Sequence, residues 1–253
     1  MTIGAQRSRV AAAPPPYTAG VTFRDRLLAS LQAVQPVLDV PEVLIGGSQV
    51  PNLLEPAAAS TLVVSQDVDV VVPVGRHQQV KAALTEIQGY TASEAEASVW
   101  LPDSPDRLEI NFIGVDHSLR EAAESYVLED ERLPLLVFGL LSHLRPGPRL
   151  EVAGLSLPLP RPAGLLIEKL LTDRSGLKGE RDLLVALGLL LVARPEDIDE
   201  LTASFAALSS DEQRGVLSSL GLLSLLKPLP EMPDPTAARD QVDSLLRRLE
   251  GGR

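Results

Sequence analysis

Two short segments constrain this 253-residue chain more than any others: Val43-Leu44-Ile45-Gly46-Gly47-Ser48, and Ser65-Gln66-Asp67-Val68-Asp69-Val70-Val71-Val72. The first is an apolar run ending in two glycines and a serine. It predicts a buried strand from Glu42 to Ile45 that turns sharply into a short helix, capped by Ser48 and ended by Pro56. Pro51 suits that helix near its start. The second segment is a strand with alternating faces, so Val68, Val70 and Val72 point into a core. Asp67 and Asp69 share the other face, about 7 Å apart. Ionised carboxylates at that distance repel unless a cation sits between them, and hard oxygen ligands so spaced suit Mg²⁺ accompanied by substrate phosphates. Alone, an Asp-x-Asp pair is more often the solvated side of an edge strand; the glycine turn before it favours a site.

Composition narrows the classes. A hydrophobic content of 45% supports a true core, and the length allows one large or two modest domains. The net charge of −11 argues against broad nucleic-acid binding, which needs clustered Lys and Arg. With one Trp, three Tyr and four Phe, no platform for stacking bases is visible. The chain has no cysteine, which excludes disulfides and thiolate metal sites, and its three histidines (His77, His117 and His143) are scattered surface or packing residues. The longest apolar run, Leu183 to Ala193, is too short to span a bilayer, and residues 1–17 lack the pattern of a signal peptide. A cytoplasmic protein with no membrane span is expected.

Read in order, residues 1–20 form a disordered tail around Pro14-Pro15-Pro16. Thr22 to Val34 has helical periodicity that Pro36 should stop, and Arg76 to Gln88 predicts a second helix, stopped at Gly89, in a βαβ crossover. Ala97 to Leu101 and Arg107 to Ile113 form a hairpin about Pro102-Asp103-Ser104-Pro105-Asp106. Its second strand buries Leu108, Ile110 and Phe112 and turns Glu109 and Asn111 to the polar face. His117 to Leu128 reads as a helix, Leu133 to Leu141 as an apolar segment, and Arg149 to Leu159 as a hairpin turning at Ala153-Gly154. Helices follow: from Pro162 through Arg174, with a break at Gly176, then from Glu180 to Val192, from Pro195, from Ser210 with Gln213 in a capping box, and from Pro235 to Glu250. Lys227 to Pro233 is a rigid linker, and the leucines from Leu217 to Leu226 fill the helical core.

The Gly46-Gly47-Ser48 turn, a short helix and the Asp67-x-Asp69 strand together resemble the signature of the DNA polymerase β-like nucleotidyltransferase superfamily. In its second half, Lys169-Leu170, Arg174, Lys178 and Arg181-Asp182-Leu183 are similar to the AbiEii-like nucleotidyltransferases, a family that includes toxin components of toxin–antitoxin and phage-defence pairs. The resemblance covers roughly residues 40 to 195. It departs at Val185, where that family often has another acidic residue.

The resemblance implies an α+β fold: a mixed β-sheet nucleotidyltransferase core over residues 21–160 with flanking helices, then a mainly α-helical C-terminal region over 161–253. It implies that Asp67, Asp69 and Glu109 are the catalytic, metal-holding carboxylates and that Mg²⁺ is the cofactor. Gly46, Gly47, Ser48, Lys169, Arg174, Lys178, Arg181 and Asp182 would bind the nucleotide. Glycine lets backbone N–H groups approach phosphates, and four cations within thirteen residues make a local positive patch. The alternatives are a solvent-facing strand glutamate at Glu109, and a solvated helix face on which Lys169 and Arg181 pair with neighbouring acids. The implied activity is transfer of a nucleoside monophosphate from an NTP, ATP or another, to an acceptor hydroxyl on a tRNA, a protein or a small molecule. An antitoxin partner is implied with it. A nucleotidyltransferase-like binding or regulatory protein without turnover is the competing expectation, and a helical interaction module with no need of the acidic triad is a third.

Overall fold

In the computed structural model of this protein, the structure describes residues 21–47, 49–54, 67–172, 177–226 and 239–251, the side chains of 177–181 excepted. The expected N-terminal tail, Ser48, Pro56, Thr61 to Gln66, Arg174, Gly176, the proline linker and Pro235 lie outside the described residues, as do the side chains of Lys178 and Arg181. The fold is mixed α/β. Every described strand lies before residue 161, and the elements beyond it are helices.

Strand β1 (Leu44–Ile45) pairs antiparallel with β2 (Asp67–Pro73), and β2 pairs parallel with β5 (Glu109–Val115). On its other side β5 meets β4 (Val99–Pro102), which carries β3 (Tyr90–Ala92) at the edge. Near its end β5 also touches β7 (Leu135–Phe138), which pairs with β6 (Ser125–Leu128). The result is one mixed seven-stranded sheet with a separate hairpin, β8 (Pro146–Val152) and β9 (Leu155–Pro160). That hairpin turns at Ala153 and Gly154 as expected, with both residues at positive φ, 51° and 80°, the twist that suits a two-residue hairpin loop.

The helices are α1 (Phe23–Ala33), α2 (Gln35–Leu38), α3 (Gln49–Leu54), α4 (His77–Ala83), α5 (Pro162–Leu171), α6 (Leu177–Val192), α7 (Pro195–Ala206), α8 (Ser210–Ser224) and α9 (Arg239–Gly251). Helix α5 packs against α6, α7, α8 and the turn at Gly139–His143, so its residues from Ala163 to Leu170 are all buried. A helix surrounded in this way needs apolar side chains all round. Glu168 and Lys169 break that rule.

Several local expectations are corrected. Glu42 has φ 68°, a left-handed conformation no strand accepts, so β1 starts at Leu44. Pro36 opens α2 near its first turn, where its missing N–H costs nothing, and α1 has already ended at Ala33. The helix after β2 tightens to 3-10 geometry at Leu84–Glu86, short of Gln88. It does not lead straight to a parallel partner: β3 and β4 intervene before β5. His117 to Leu128 is not helical. Ser118 donates both its N–H and its hydroxyl to the Asp116 carboxylate, closing a turn, and Ser125–Leu128, with Tyr126 and Val127, is strand β6. Helix α6 begins at Leu177, three residues before Glu180. The capping box of α8 joins Ser209 to Glu212, one residue earlier than Ser210 and Gln213. In the same helix Leu220 and Leu223 are buried while Leu222 and Leu225 face outward.

Residue Leu108 is held from both sides just before Glu109. Its N–H donates to the buried Ser30 hydroxyl at 2.7 Å, and its carbonyl accepts from the Tyr90 hydroxyl at 2.8 Å. These side chains fix where β5 starts, and so where Glu109 projects. Ser30→Ala would leave the Leu108 N–H buried and unpaired, which costs about 1–3 kcal/mol. Urea denaturation should show that loss with an unchanged slope.

Candidate active site

The odd-numbered residues of β2 and β5 share one sheet face, and this face is the floor of a cavity of about 600 Å³. Asp67 and Asp69 come from β2, Glu109 and Asn111 from β5. Parallel pairing sets Asp67 opposite Glu109 and Asp69 opposite Asn111. The three expected carboxylates are thus brought to one end of one cavity. Behind them Val68, Val70, Val72, Leu108 and Ile110 are fully buried, as alternation requires.

The glycine turn lies directly on the aspartates. Gly46 N–H donates to the Asp69 carbonyl at 2.9 Å, and a Cβ on Gly46 would stand 2.8 Å from a Val71 methyl. Gly47 has φ +67°, and a Cβ there would stand 2.2 Å from the Asp69 carboxylate oxygen Oδ2. No other residue type could bring the backbone so close to Asp69.

Beneath, Gln49 of α3 donates its side-chain amide to the Asp67 carbonyl at 2.9 Å. Asn52 donates to the Gln49 side-chain oxygen at 2.9 Å, and both amides are buried. Asn111 donates to the Asp67 carboxylate at 2.7 Å. Alternation placed Asn111 on the polar face but assigned it no task. Gln49 and Asn52 carried no sequence signal, since burial of an amide is decided by packing.

The roof is helical. Lys169 of α5 is 8% exposed and reaches Glu168 at 3.1 Å and Asp182 of α6 at 3.0 Å. Burial alone would lower the Lys169 pKa, but the charges of Glu168 and then Asp182 outweigh it and hold the ammonium above its ordinary range. Lys169 is therefore neither a solvated cation nor part of an open basic patch. It is a buried charge neutralised by two acids. Glu168 was expected only as a surface pairing partner; here it lines the cavity beside Lys169, Asp182 and Val185. The second Asp182 oxygen, Oδ2, is buried with no hydrogen-bond partner among the described residues.

Electrostatics mark Asp69 as the stressed member. Burial, then the neighbouring Asp67 charge, pushes its carboxyl up to about 6, against the pull of Lys169 and of a hydrogen bond from Asn111. Two crowded carboxylates, Asp69 desolvated and Asp67 half-buried, are a donor set that suits a hard divalent cation. Among the described residues, no group of three or more His, Cys, Asp or Glu side chains is arranged to hold a metal ion. The fit to a cation therefore rests on the Asp67–Asp69 pair, with oxygen atoms from a substrate completing the shell.

No protein-family model matches this chain, and no curated protein matches it. No helix among the described residues is long and apolar enough to cross a membrane.

The strain at Asp69 has a sign that can be measured. The folded state binds this proton more tightly than the unfolded chain, whose carboxyl titrates near 3.8. Without divalent cations, stability should be greatest below about pH 4 and fall as pH rises to about 6, by about 3 kcal/mol in all. Asp69→Asn should flatten that slope and raise the melting temperature at pH 7. Lys169→Met should act in the opposite direction, costing about 3–5 kcal/mol because Glu168 and Asp182 lose their counter-charge; thermal melts of the three proteins at pH 7 compare them directly.

Proposed function

We propose that this chain is a nucleotidyltransferase, moving a nucleoside monophosphate from an NTP to an acceptor hydroxyl. The observation that carries the reading is the in-register meeting of Asp67 and Asp69 with Glu109 and Asn111 beneath the Gly46-Gly47 turn, in a cavity roofed by Lys169 and Asp182. The mixed sheet with parallel β2 and β5 supplies what such a core needs, two carboxylate-bearing strands side by side.

Asp67 and Asp69 are the residues that would hold Mg²⁺, with Glu109 beside them on the next strand. The bound ion would supply charge stabilisation for the triphosphate and for the leaving pyrophosphate. The protein's own residues position the reactants. The backbone at Gly47, which lines the cavity without a side chain, can lie against phosphate oxygens, while Gly46 ties the turn to the sheet through its N–H to the Asp69 carbonyl. Asn111 fixes the Asp67 carboxylate, and Gln49 fixes the backbone that carries it. Glu109 takes the acceptor's proton as the acceptor oxygen bonds to the α-phosphorus. The bond from that phosphorus to the bridging oxygen breaks, and pyrophosphate leaves with the electron pair. Lys169 keeps Glu168 and Asp182 compatible with an incoming polyanion.

A second reading has its own support. Val185 is buried in the cavity wall, and Lys169 is already matched by two acids, so a protein that binds nucleotide without turnover would have the same shape. Incubation with α-labelled NTP and Mg²⁺ separates the two. Under the enzyme reading, label moves to an acceptor, and Asp69→Asn lowers the rate by about a thousandfold or more while the fold persists. Mg²⁺-dependent NTP binding without any transfer would favour the second reading. A wild-type protein that binds no NTP in the presence of Mg²⁺ would sink both.

A further inference from the structure

The cavity has two ends of different chemistry. One is the carboxylate end, flanked by Val99 and Leu101 of β4 alongside Asn111 and Glu109; the other runs along the same sheet face past Ile113 to Leu136 and Phe138 of β7. Leu136 is 39% exposed, so this end opens to solvent with a large apolar side chain in place at its mouth. Such side chains are normally covered, and a row of them leading into a polar cavity is the form of a ligand site. Glu96, in the loop before β4, stands at the same end with Ser93 and Ser98.

The charge of the lining is one-sided. Among the described residues, Asp67, Asp69, Glu96, Glu109, Glu168 and Asp182 face one basic group, Lys169, which two of those acids already engage. Asp182 adds a buried carboxylate oxygen, Oδ2, with no hydrogen-bond partner among the described residues. A polyanionic acceptor needs clustered Lys and Arg. Away from the carboxylate end the described lining offers none and carries Glu96, so a polyanionic acceptor would be repelled there, the more so beside a bound triphosphate.

We propose that the apolar end of this cavity is the acceptor site of the transferase proposed above, and that it takes a small organic cation: an amine-bearing alcohol with an apolar chain. The chain lies on Leu136 and Phe138, the ammonium faces Glu96, and the hydroxyl points along the sheet face toward Glu109. Its oxygen forms the new bond to the α-phosphorus of the NTP, its proton passes to Glu109, and pyrophosphate departs with the electrons of the broken bond. This assignment rests on the nucleotidyltransferase reading, but the site can be tested without it.

The chain has a single tryptophan, Trp100, on β4 between Val99 and Leu101, with its ring edge-on to Phe112 of the cavity at 6.1 Å. Because Val99 and Leu101 face the cavity, Trp100 between them faces the other side of the sheet, so binding is read by isothermal titration calorimetry. Titration of the full chain, without NTP or Mg²⁺, with 2-(hexylamino)ethanol should give a saturable heat change. Hexyl phosphate, which has the same chain and the opposite charge, and ethanolamine, which lacks the chain, should each bind at least about tenfold more weakly. Glu96→Lys should erase the preference for the cation; Glu96→Gln, at an exposed position that tolerates change, should weaken cation binding without touching the apolar wall. Equal or tighter binding of hexyl phosphate, no saturable signal, or indifference to both Glu96 variants would overturn the proposal. Transfer of label to tRNA in the nucleotidyl assay would overturn the acceptor class alone, whereas probe binding in a protein that transfers nothing would leave the site and remove the function.

Discussion

The acidic end of the cavity depends on one buried ammonium. Asp67, Asp69, Glu109, Glu168 and Asp182 line the same cavity, and Lys169 is the single cation among the described lining residues. Coulomb repulsion among desolvated carboxylates is severe at low dielectric. Lys169 answers it from the core of α5, a helix buried on every side, where an uncompensated charge would be intolerable. The arrangement is mutual: Glu168 and Asp182 make a buried lysine tenable, and Lys169 makes buried acids tenable. What it does not cancel is the burial of Asp69 and then its crowding by Asp67 on β2, which together leave the Asp69 carboxyl with a raised pKa.

The second constraint is geometric. Because β2 and β5 run parallel and in register from their first residues, the alternation of each strand becomes a two-by-two array: Asp67 beside Glu109, Asp69 beside Asn111. The array stays fixed because its surroundings are hydrogen-bonded from below and from the flanks. Gln49 holds the Asp67 backbone, while Ser30 and Tyr90 hold Leu108, next to Glu109. Above it, Gly47 leaves no room for a side chain over Asp69. The same sheet face continues past Ile113 to β7, where apolar residues replace the carboxylates, so a single surface offers an ionic end and an apolar one without any further element.

Much of this was legible in the linear chain. Alternation told which residues of β2 and β5 face the core, because a period of two is a property of the extended backbone and not of its neighbours. The hairpin at Ala153-Gly154 and the helix beginning at Pro162 followed from local steric preferences in the same way. The errors fell where local signals were weak or doubled: Pro36 can stop one helix or start the next, and the run from His117 to Leu128 has no strong period. There, pairing of β6 with β7 decided the outcome.

By itself, then, the sequence determined the strand faces, the glycine turn and the segregation of strands before helices, each set by the chain's own dihedral preferences and hydrophobic periods. Only the tertiary structure decided that β2 and β5 are neighbours in parallel, that Asn111, Gln49 and Glu168 belong to the site, and that Lys169 is a buried, neutralised charge where an exposed one had been expected. The physical reason is that burial and ion pairing arise between segments far apart in the chain. Lys169 and Asp182 lie on different helices, and no local pattern states how deeply a helix will be enclosed.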